Sequence, residues 1–172
     1  MALLPIITAP DPRLKVRSES VEQIDDELRS FMDDMLETMY DAPGVGLSAI
    51  QVGQPKRVMV VDCADDGAAA NPIYLINPEI VESSEDLRAY EEGCLSLPEQ
   101  YAEVERPATI RVKYLDREGA AQELTADGLL STCIQHEMDH FEGILFVDHI
   151  SALKRNMILR RLKKAKKLQA TG

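Results

Sequence analysis

The chain is organised around Gln135-His136-Glu137-Met138-Asp139-His140, which contains the pattern His-Glu-x-x-His. His136 and His140, at positions i and i+4, would lie on one face of a helix, about 6 Å apart along its axis. Two imidazoles in that arrangement can converge on one metal ion, and Glu137 beside them is suited to handling the protons of a water molecule. Apolar residues at helical spacing around the pattern predict a helix that begins near residue 128 and that Gly143 would end: Leu129, Leu130, Cys133, Ile134, Met138 and Phe141.

The alternative is that both histidines are core residues whose ring nitrogens are hydrogen-bonded within the protein. Burying polar side chains on an apolar helix is energetically costly without such a partner. A catalytic metal site usually takes three protein ligands and leaves one position open. Phe146 stands where the longer pattern His-Glu-x-x-His-x-x-Gly-x-x-His has its third histidine, and residues 151–172 contain no Asp or Glu. The sequence therefore disfavours the ligand sets of the common zinc peptidases. A third ligand is expected upstream of the helix.

Three cysteines are the candidates for that ligand. Cys133 shares the face of His136, but about 10 Å along the helix axis would separate it from His140, so it is better suited to being a small buried apolar residue. Cys63 ends a strand-like run and has no neighbours that resemble ligands. Cys94 follows Gly93, which allows an irregular turn with an accessible thiolate. Cys94 is therefore a candidate for the third ligand, but this local pattern alone does not select it.

Helical and strand-like segments alternate along the rest of the chain. An apolar stripe predicts a helix over 26–40 with Asp25 as its cap. Strands are expected at 57–61, at 73–76 and 80–81 on either side of a turn at Asn77-Pro78, and at 109–114, with a hairpin turn at 116–119 leading into 122–124. A helix over 152–168 should bury Leu153, Met157, Leu159 and Leu162. The prediction is one α+β domain, 1–172, with antiparallel or mixed sheets around a central helix.

Charge is unevenly distributed. The chain has 19 basic and 30 acidic residues, a net charge of −11. Residues 151–172 nevertheless contain eight basic residues, which favours either a polyanionic partner or a solvated terminal helix. No apolar run reaches the ~18 residues of a membrane span, and three cysteines without an export signal indicate a reducing compartment. We therefore expect a cytoplasmic protein, without a membrane partner, that acts as a monomer.

Three segments resemble the signature motifs of peptide deformylase, in the order and at the approximate spacing of that family. They are Gly44-Val45-Gly46-Leu47-Ser48-Ala49-Ile50-Gln51, Glu92-Gly93-Cys94-Leu95-Ser96 and Gln135-His136-Glu137-Met138-Asp139-His140. The resemblance implies a metal bound by Cys94, His136, His140 and a water molecule. The expected ion is ferrous iron, with Zn²⁺, Ni²⁺ or Co²⁺ as substitutes, since thiolate and imidazole suit iron and zinc alike.

The implied reaction is hydrolysis of the N-formyl group from the formyl-methionine of new polypeptides, which releases formate. The metal-bound water would be the nucleophile and Glu137 the general acid and base. The side-chain amide of Gln51 and the backbone N–H of Leu95 would stabilise the oxyanion. Glu92 should brace its loop through a salt bridge. The expected substrate contacts are Gly44, Gly46 and Gly93 for the peptide backbone, and Val45, Tyr90, Leu129 and Cys133 for the methionine side chain.

Two positions depart from the family pattern. Ser48 stands where the family usually has alanine, and we expect little effect from its hydroxyl. Tyr101 stands where some close relatives carry arginine, which leaves peptide contacts beyond the methionine open. The basic helix resembles the one that some bacterial members use to dock on the ribosome, a polyanionic partner. The competing hypotheses are a zinc endopeptidase and a non-catalytic, metal-stapled protein that binds the ribosome.

Overall fold

The computed structural model describes residues 2–64 and 68–171. Within these residues, helices and strands alternate in an α+β arrangement, as predicted. The helices are α1 (Asp26–Asp41), α2 (Gly128–Phe141) and α3 (Ala152–Thr171). The strands are β1 (Gly46–Ser48), β2 (Val58–Val61), β3 (Ile73–Ser83), β4 (Leu87–Cys94), β5 (Leu97–Pro107), β6 (Thr109–Leu115) and β7 (Ala121–Asp127). Short 3₁₀ turns occupy Pro12–Lys15, Ala49–Val52 and Phe146–His149.

The strands form two antiparallel sheets. The larger has the order β1-β2-β3-β6-β7, and the smaller is the hairpin β4-β5. Antiparallel pairing needs only short connections, and the predicted turn after Asp116 joins β6 to β7, with the N–H of Gly119 donating to the Asp116 carbonyl. The edge strand β1 of the larger sheet packs beside the central helix α2, and β5 of the hairpin also contacts this helix. Strand β4 reaches α2 through the side chain of Glu92.

Helix α2 packs its apolar side against the larger sheet. Ile134 and Phe141 are fully buried among Met59, Leu75 and Val112. The helix ends before Gly143, whose φ of +73° is the left-handed conformation that glycine adopts without strain. A side chain there would also meet the carbonyl oxygen of Lys15 at 2.5 Å, so this position requires glycine. The predicted central helix and its end are confirmed.

Helix α1 is confirmed over Asp26–Asp41, one residue longer than predicted. Asp25 caps it, because its carboxylate accepts the N–H of Leu28 at 2.9 Å. Met32, Met35 and Met39 are fully buried against β1 and β2. The methionine-rich stripe is therefore part of the core.

The predicted turn at Asn77-Pro78 is wrong, because β3 runs through it from Ile73 to Ser83. The register with β6 shifts between Ile76 and Glu79, and Asn77 has a φ of +50°. The Asn77 side chain accepts the N–H of Val21 and donates to its carbonyl. This side-chain pairing stabilises a bulge where the sequence pattern had predicted a reversal.

The predicted buried face of the C-terminal helix is partly wrong. Ile158 and Leu162 are buried and Leu159 is partly buried, but Leu153 and Met157 are 72% and 42% exposed. The contacted face thus includes Ile158, which the predicted stripe omitted. Among the described residues, no helix combines the length and apolar character that crossing a bilayer requires.

Asp148 connects the N-terminal segment to α3. Its carboxylate accepts the N–H of Leu145 at 2.9 Å, Lys15 Nζ at 3.0 Å and Arg155 Nε at 2.8 Å. Burial raises the pKa of Asp148, but the hydrogen bonds from Leu145, Arg155 and Lys15 outweigh it, so the pKa lies below its ordinary value of 3.8.

Asp148→Asn should lower the free energy of unfolding by about 1–2 kcal/mol at pH 7, because it replaces charge-assisted hydrogen bonds with weaker ones. Since the folded-state pKa is lowered, this stabilisation is present above about pH 4 and is lost as the pH falls through the folded-state value. Urea unfolding of both proteins from pH 7 to pH 2.5 measures it. Asp41→Asn, at an exposed site, is the control; a difference that stays constant down to pH 2.5 would contradict the assignment.

Candidate metal centre

Cys94 and the two histidines come from different elements. Cys94 ends β4, and Leu95-Ser96 form the two-residue turn that pairs Cys94 with Leu97 on β5. His136 and His140 lie one helical turn apart on α2, and both are buried. The hairpin turn therefore brings a sulfur to the helix face that carries both imidazoles.

These three side chains form a cluster that could hold a metal ion. One ligand atom from each residue, a sulfur or a ring nitrogen, lies within 4.8 Å of the other two. In a tetrahedral site with bond lengths of about 2.0–2.3 Å, ligand atoms lie roughly 3.3–3.8 Å apart. Cys94 Sγ is 3.5 Å from His140 Nε2, which fits that geometry. Among the described residues no fourth His, Cys, Asp or Glu joins the group, so an ion held by these three side chains would keep a position for solvent or substrate.

The ring of His136 is oriented by Glu92. His136 Nδ1 lies 2.9 Å from Glu92 Oε1, so Nδ1 carries the proton and Nε2 remains available as a ligand. Burial raises the pKa of Glu92, but the hydrogen bonds from His136 and Arg106 outweigh it and keep the carboxylate charged. The predicted salt bridge of Glu92 is confirmed, with Arg106 Nε at 2.7 Å.

Arg106 also reaches the helix. Its Nη1 lies 2.8 Å from Asp139 Oδ2, which in turn lies 2.8 Å from His149 Nε2. The sequence patterns did not single out Arg106, Asp139 or His149 for these contacts. No local signal could have done so, because Arg106 is 14 residues from Glu92 and 33 from Asp139.

Glu137 lies between the two imidazoles. Its carboxylate oxygens are 3.9 Å from His136 Nε2 and 3.9 Å from His140 Nε2. Burial raises the pKa of Glu137, although the neighbouring His136 and a hydrogen bond from Ser48 oppose the rise. A carboxyl group with a raised pKa beside the Cys94, His136 and His140 cluster is suited to taking up and returning a proton.

Ser48 and Gly46 bound the space around Glu137. Ser48 Oγ is 2.8 Å from the Glu137 carbonyl and 3.2 Å from its carboxylate, a contact that the sequence did not indicate. A Cβ at Gly46 would lie 2.8 Å from Glu137 Oε2 and 2.7 Å from Cys133 Sγ. Glycine is therefore required at 46 for the carboxylate to keep this position.

Gln51 is almost fully buried next to Cys94. Its carbonyl accepts the N–H of Ser48 at 2.9 Å, which fixes the amide so that Nε2 points to Cys94 Sγ at 3.5 Å and Ser96 Oγ at 3.0 Å. The amide N–H groups thus face the cluster, and Leu95 is the residue directly after the cysteine. Gln51 Nε2 thus lies at the cluster, and Leu95 lines the cleft beside it; their role as oxyanion donors stays a prediction.

A cleft of about 750 Å³ opens onto the cluster. It is lined by every residue that the sequence analysis assigned to substrate contacts: Gly44, Val45, Gly46, Tyr90, Gly93, Leu129 and Cys133. Gln51, Leu95, Cys94, His136 and Glu137 line the same cleft. His140 lies behind them, 1% exposed.

Arg106→Met should lower the free energy of unfolding by about 3–5 kcal/mol, because the buried Glu92 carboxylate would lose its guanidinium partner and Asp139 would lose one of its ion pairs. Denaturant titration measures the loss. Arg111→Met is the matched control on the neighbouring strand, since its ion pairs are exposed and should contribute less than about 1 kcal/mol. Equal losses in the two variants would contradict the role of Arg106.

The sequence profile of polypeptide deformylase matches residues 3–156. A peptide deformylase of Mesorhizobium japonicum is 56% identical over 172 residues, covering 100% of this chain and 98% of the relative. A crystal structure of a peptide deformylase from Legionella pneumophila has a TM-score of 0.91 at 46% identity, covering 99% of both chains. One from Ehrlichia chaffeensis, in complex with actinonin, has a TM-score of 0.92 at 40% identity, covering 96% of this chain and 98% of that one. The chain therefore belongs to the polypeptide deformylase family.

Proposed function

We propose that Cys94, His136 and His140 hold the divalent metal ion with which this hydrolase removes the N-formyl group from newly made polypeptides. The observation that carries the proposal is the convergence of one sulfur and two ring nitrogens beside the Glu137 carboxylate, which lies 3.9 Å from both imidazoles. When bound, the ion would act as a Lewis acid that lowers the pKa of a water molecule and polarises the formyl carbonyl.

Glu137 is the acid and base of the reaction. Its carboxylate accepts a proton from the attacking water and then donates it to the methionine nitrogen as the C–N bond to the formyl carbon breaks. The products are formate and a free amine. Gln51 Nε2 and the backbone N–H of Leu95 donate to the formyl oxygen as negative charge develops on it. The position of Gln51 supports this role: Nε2 keeps its 3.0 Å hydrogen bond to Ser96, and the N–H in the longer 3.5 Å contact with Cys94 Sγ is the one that can turn to the formyl oxygen.

The peptide is held between two strand edges. In the described residues β1 pairs only with β2 and β4 only with β5, so each has an unpaired edge, and both strands contribute to the cleft. An extended substrate can pair with such edges, with Gly44, Gly46 and Gly93 allowing close approach. Val45, Tyr90, Leu129 and Cys133 then form the wall that receives the methionine side chain.

For the ion itself we propose Fe²⁺ in the cell, with Zn²⁺, Ni²⁺ or Co²⁺ able to replace it. Thiolate and imidazole ligands suit both iron and zinc, so the ligand set does not select between them. We also propose a cytoplasmic location, which the absence of disulfides among the three cysteines supports. The monomeric state expected from the sequence stays a prediction, as does the single domain over 1–172.

The direct test is formate release from a formyl-methionyl peptide, with metal content measured on the same anaerobic sample. Glu137→Ala should retain the metal and the fold but lose about 10²–10⁴-fold in kcat, because the proton carrier is removed. Glu142→Gln, an exposed acid just beyond the same helix, is the control. Undiminished turnover by the Glu137→Ala protein would contradict the role assigned to Glu137. A wild-type protein that contains metal but releases no formate would contradict the proposed function.

We propose that α3 docks on the ribosome through its basic surface. Deleting the helix would expose core contacts of Ile158 and Leu162, so neutralisation is the cleaner test. Replacing the exposed Arg161, Lys163 and Lys164 with Gln should weaken ribosome co-sedimentation and reduce its dependence on salt, because fewer ion contacts to RNA phosphates remain. Unchanged co-sedimentation at low salt would contradict the docking proposal, and unchanged deformylation is the control for folding.

A further inference from the structure

The outer part of the cleft extends beyond the catalytic centre along the β4-β5 hairpin. Glu91 and Gly93 on β4 and Glu99 and Tyr101 on β5 line it, together with Pro98. None of these residues is assigned to the metal or to the methionine side chain, and of them only Gly93 is assigned to the peptide backbone. A substrate that continues past its methionine has to pass this part of the cleft.

The charge of this outer part is entirely negative. Glu91 and Glu99 are exposed, whereas the lining residues include no Lys and no Arg. Within the described residues, the ion pairs of acidic cleft residues are confined to the inner ones: Glu92 binds Arg106, and Glu137 lies beside the histidines. The two outer carboxylates therefore present uncompensated charge at the mouth of the cleft.

Glu91 is held in a locally unfavourable position. In the antiparallel register of the hairpin it stands directly opposite Glu103, and like charges in that arrangement repel. A cation brought by a ligand would relieve this repulsion. Glu99 has a φ of +63°, a left-handed conformation that glycine or asparagine would adopt more easily.

Along the hairpin, Tyr101 places an aromatic ring between Glu91 and Cys94, and Glu99 lies two residues before it on β5. Tyr101 pairs with Gly93, and a Cβ at Gly93 would lie 2.6 Å from Tyr101 Cε1. The missing side chain thus lets the ring lie over the strand that leads directly to Cys94. The ring is 63% exposed, so its face can contact an alkyl stem or a guanidinium group.

We propose that Glu91, Glu99 and Tyr101 form an acidic, aromatic rim that selects among nascent chains by charge. It favours Lys or Arg in the first residues after the methionine and disfavours Asp or Glu there. The proposal rests on the deformylase function proposed above and specifies its preferred substrates. Exposed carboxylates interact with a mobile cationic side chain at modest strength, so the selection acts mainly on KM and is weakened by salt.

Three peptides test the proposal: formyl-Met-Ala-Lys-Lys, formyl-Met-Ala-Gln-Gln and formyl-Met-Ala-Glu-Glu, each as the C-terminal amide. The holoenzyme should give kcat/KM in the order Lys, Gln, Glu, with a ratio of about tenfold between the first and the last at low salt. The ratio should fall towards one at 1 M salt, where the Debye length is about 3 Å. Equal kcat/KM for the three peptides would overturn the rim while leaving the deformylase function intact, whereas no turnover of any peptide would overturn that function.

Substitutions connect the preference to the rim. The double variant Glu91→Gln, Glu99→Gln should reduce the ratio to within about twofold, and Tyr101→Arg should reduce or invert it, because each makes the rim less negative. Glu105→Gln is the matched control, since it removes one exposed charge from the same hairpin at a position outside the cleft. A wild-type ratio in both rim variants, or an equal loss in Glu105→Gln, would overturn the proposal.

Discussion

The buried guanidinium of Arg106 connects the elements that form the candidate metal centre. It lies on β5, its Nε and Nη2 bind the Glu92 carboxylate of β4 at 2.7 and 3.0 Å, and its Nη1 binds Asp139 of α2 at 2.8 Å. Within residues 2–64 and 68–171 no strand of the small sheet pairs with the large one, so side-chain contacts such as these, together with apolar packing of Leu97 and Val104, fix its position relative to α2. Because Arg106 and Glu92 are almost fully buried, each charge requires the other to remain compensated.

Two consequences for the site follow from that ion pair. The Glu92 carboxylate, held in place by Arg106, also accepts a hydrogen bond from His136 Nδ1. The ion pair that positions the hairpin therefore also sets the orientation of the His136 ring. The docked hairpin brings Cys94, two residues beyond Glu92, to the helix face. Gln51 then reaches the sulfur from the segment that follows β1, so residues from both sheets and α2 meet at one point.

The sequence predicted those features whose signal is local. The helix carrying His136 and His140, its end at Gly143 and the cap at Asp25 each follow from periodicity or from a single residue type. Local reasoning left Cys94 open because 42 residues separate it from His136, and only the resemblance of the three motifs selected it. The bulge at Asn77 was missed because Val21, which supplies both hydrogen bonds, is 56 residues away. The face of α3 was misjudged because its apolar residues permit more than one stripe.

The arrangement also favours a catalytic metal site over a metal site that only stabilises the fold. Each of the three proposed ligands contacts another side chain: Gln51 Nε2 lies 3.5 Å from the Cys94 sulfur, Glu92 binds His136, and the ring of His136 lies 5.1 Å from that of His140. Two of the apolar clusters in the described residues, around Met32 and Met59, are built on α1, the larger sheet and α2 and include none of the three proposed ligands. In a third cluster, Cys94 packs against buried residues that include Leu97 and Phe146. A structural staple would instead require a closed set of four ligands and no buried carboxylate beside them. Burying the Glu137 carboxylate next to two imidazoles lowers the stability of the folded protein. A site that only stabilised the fold would not require this carboxylate.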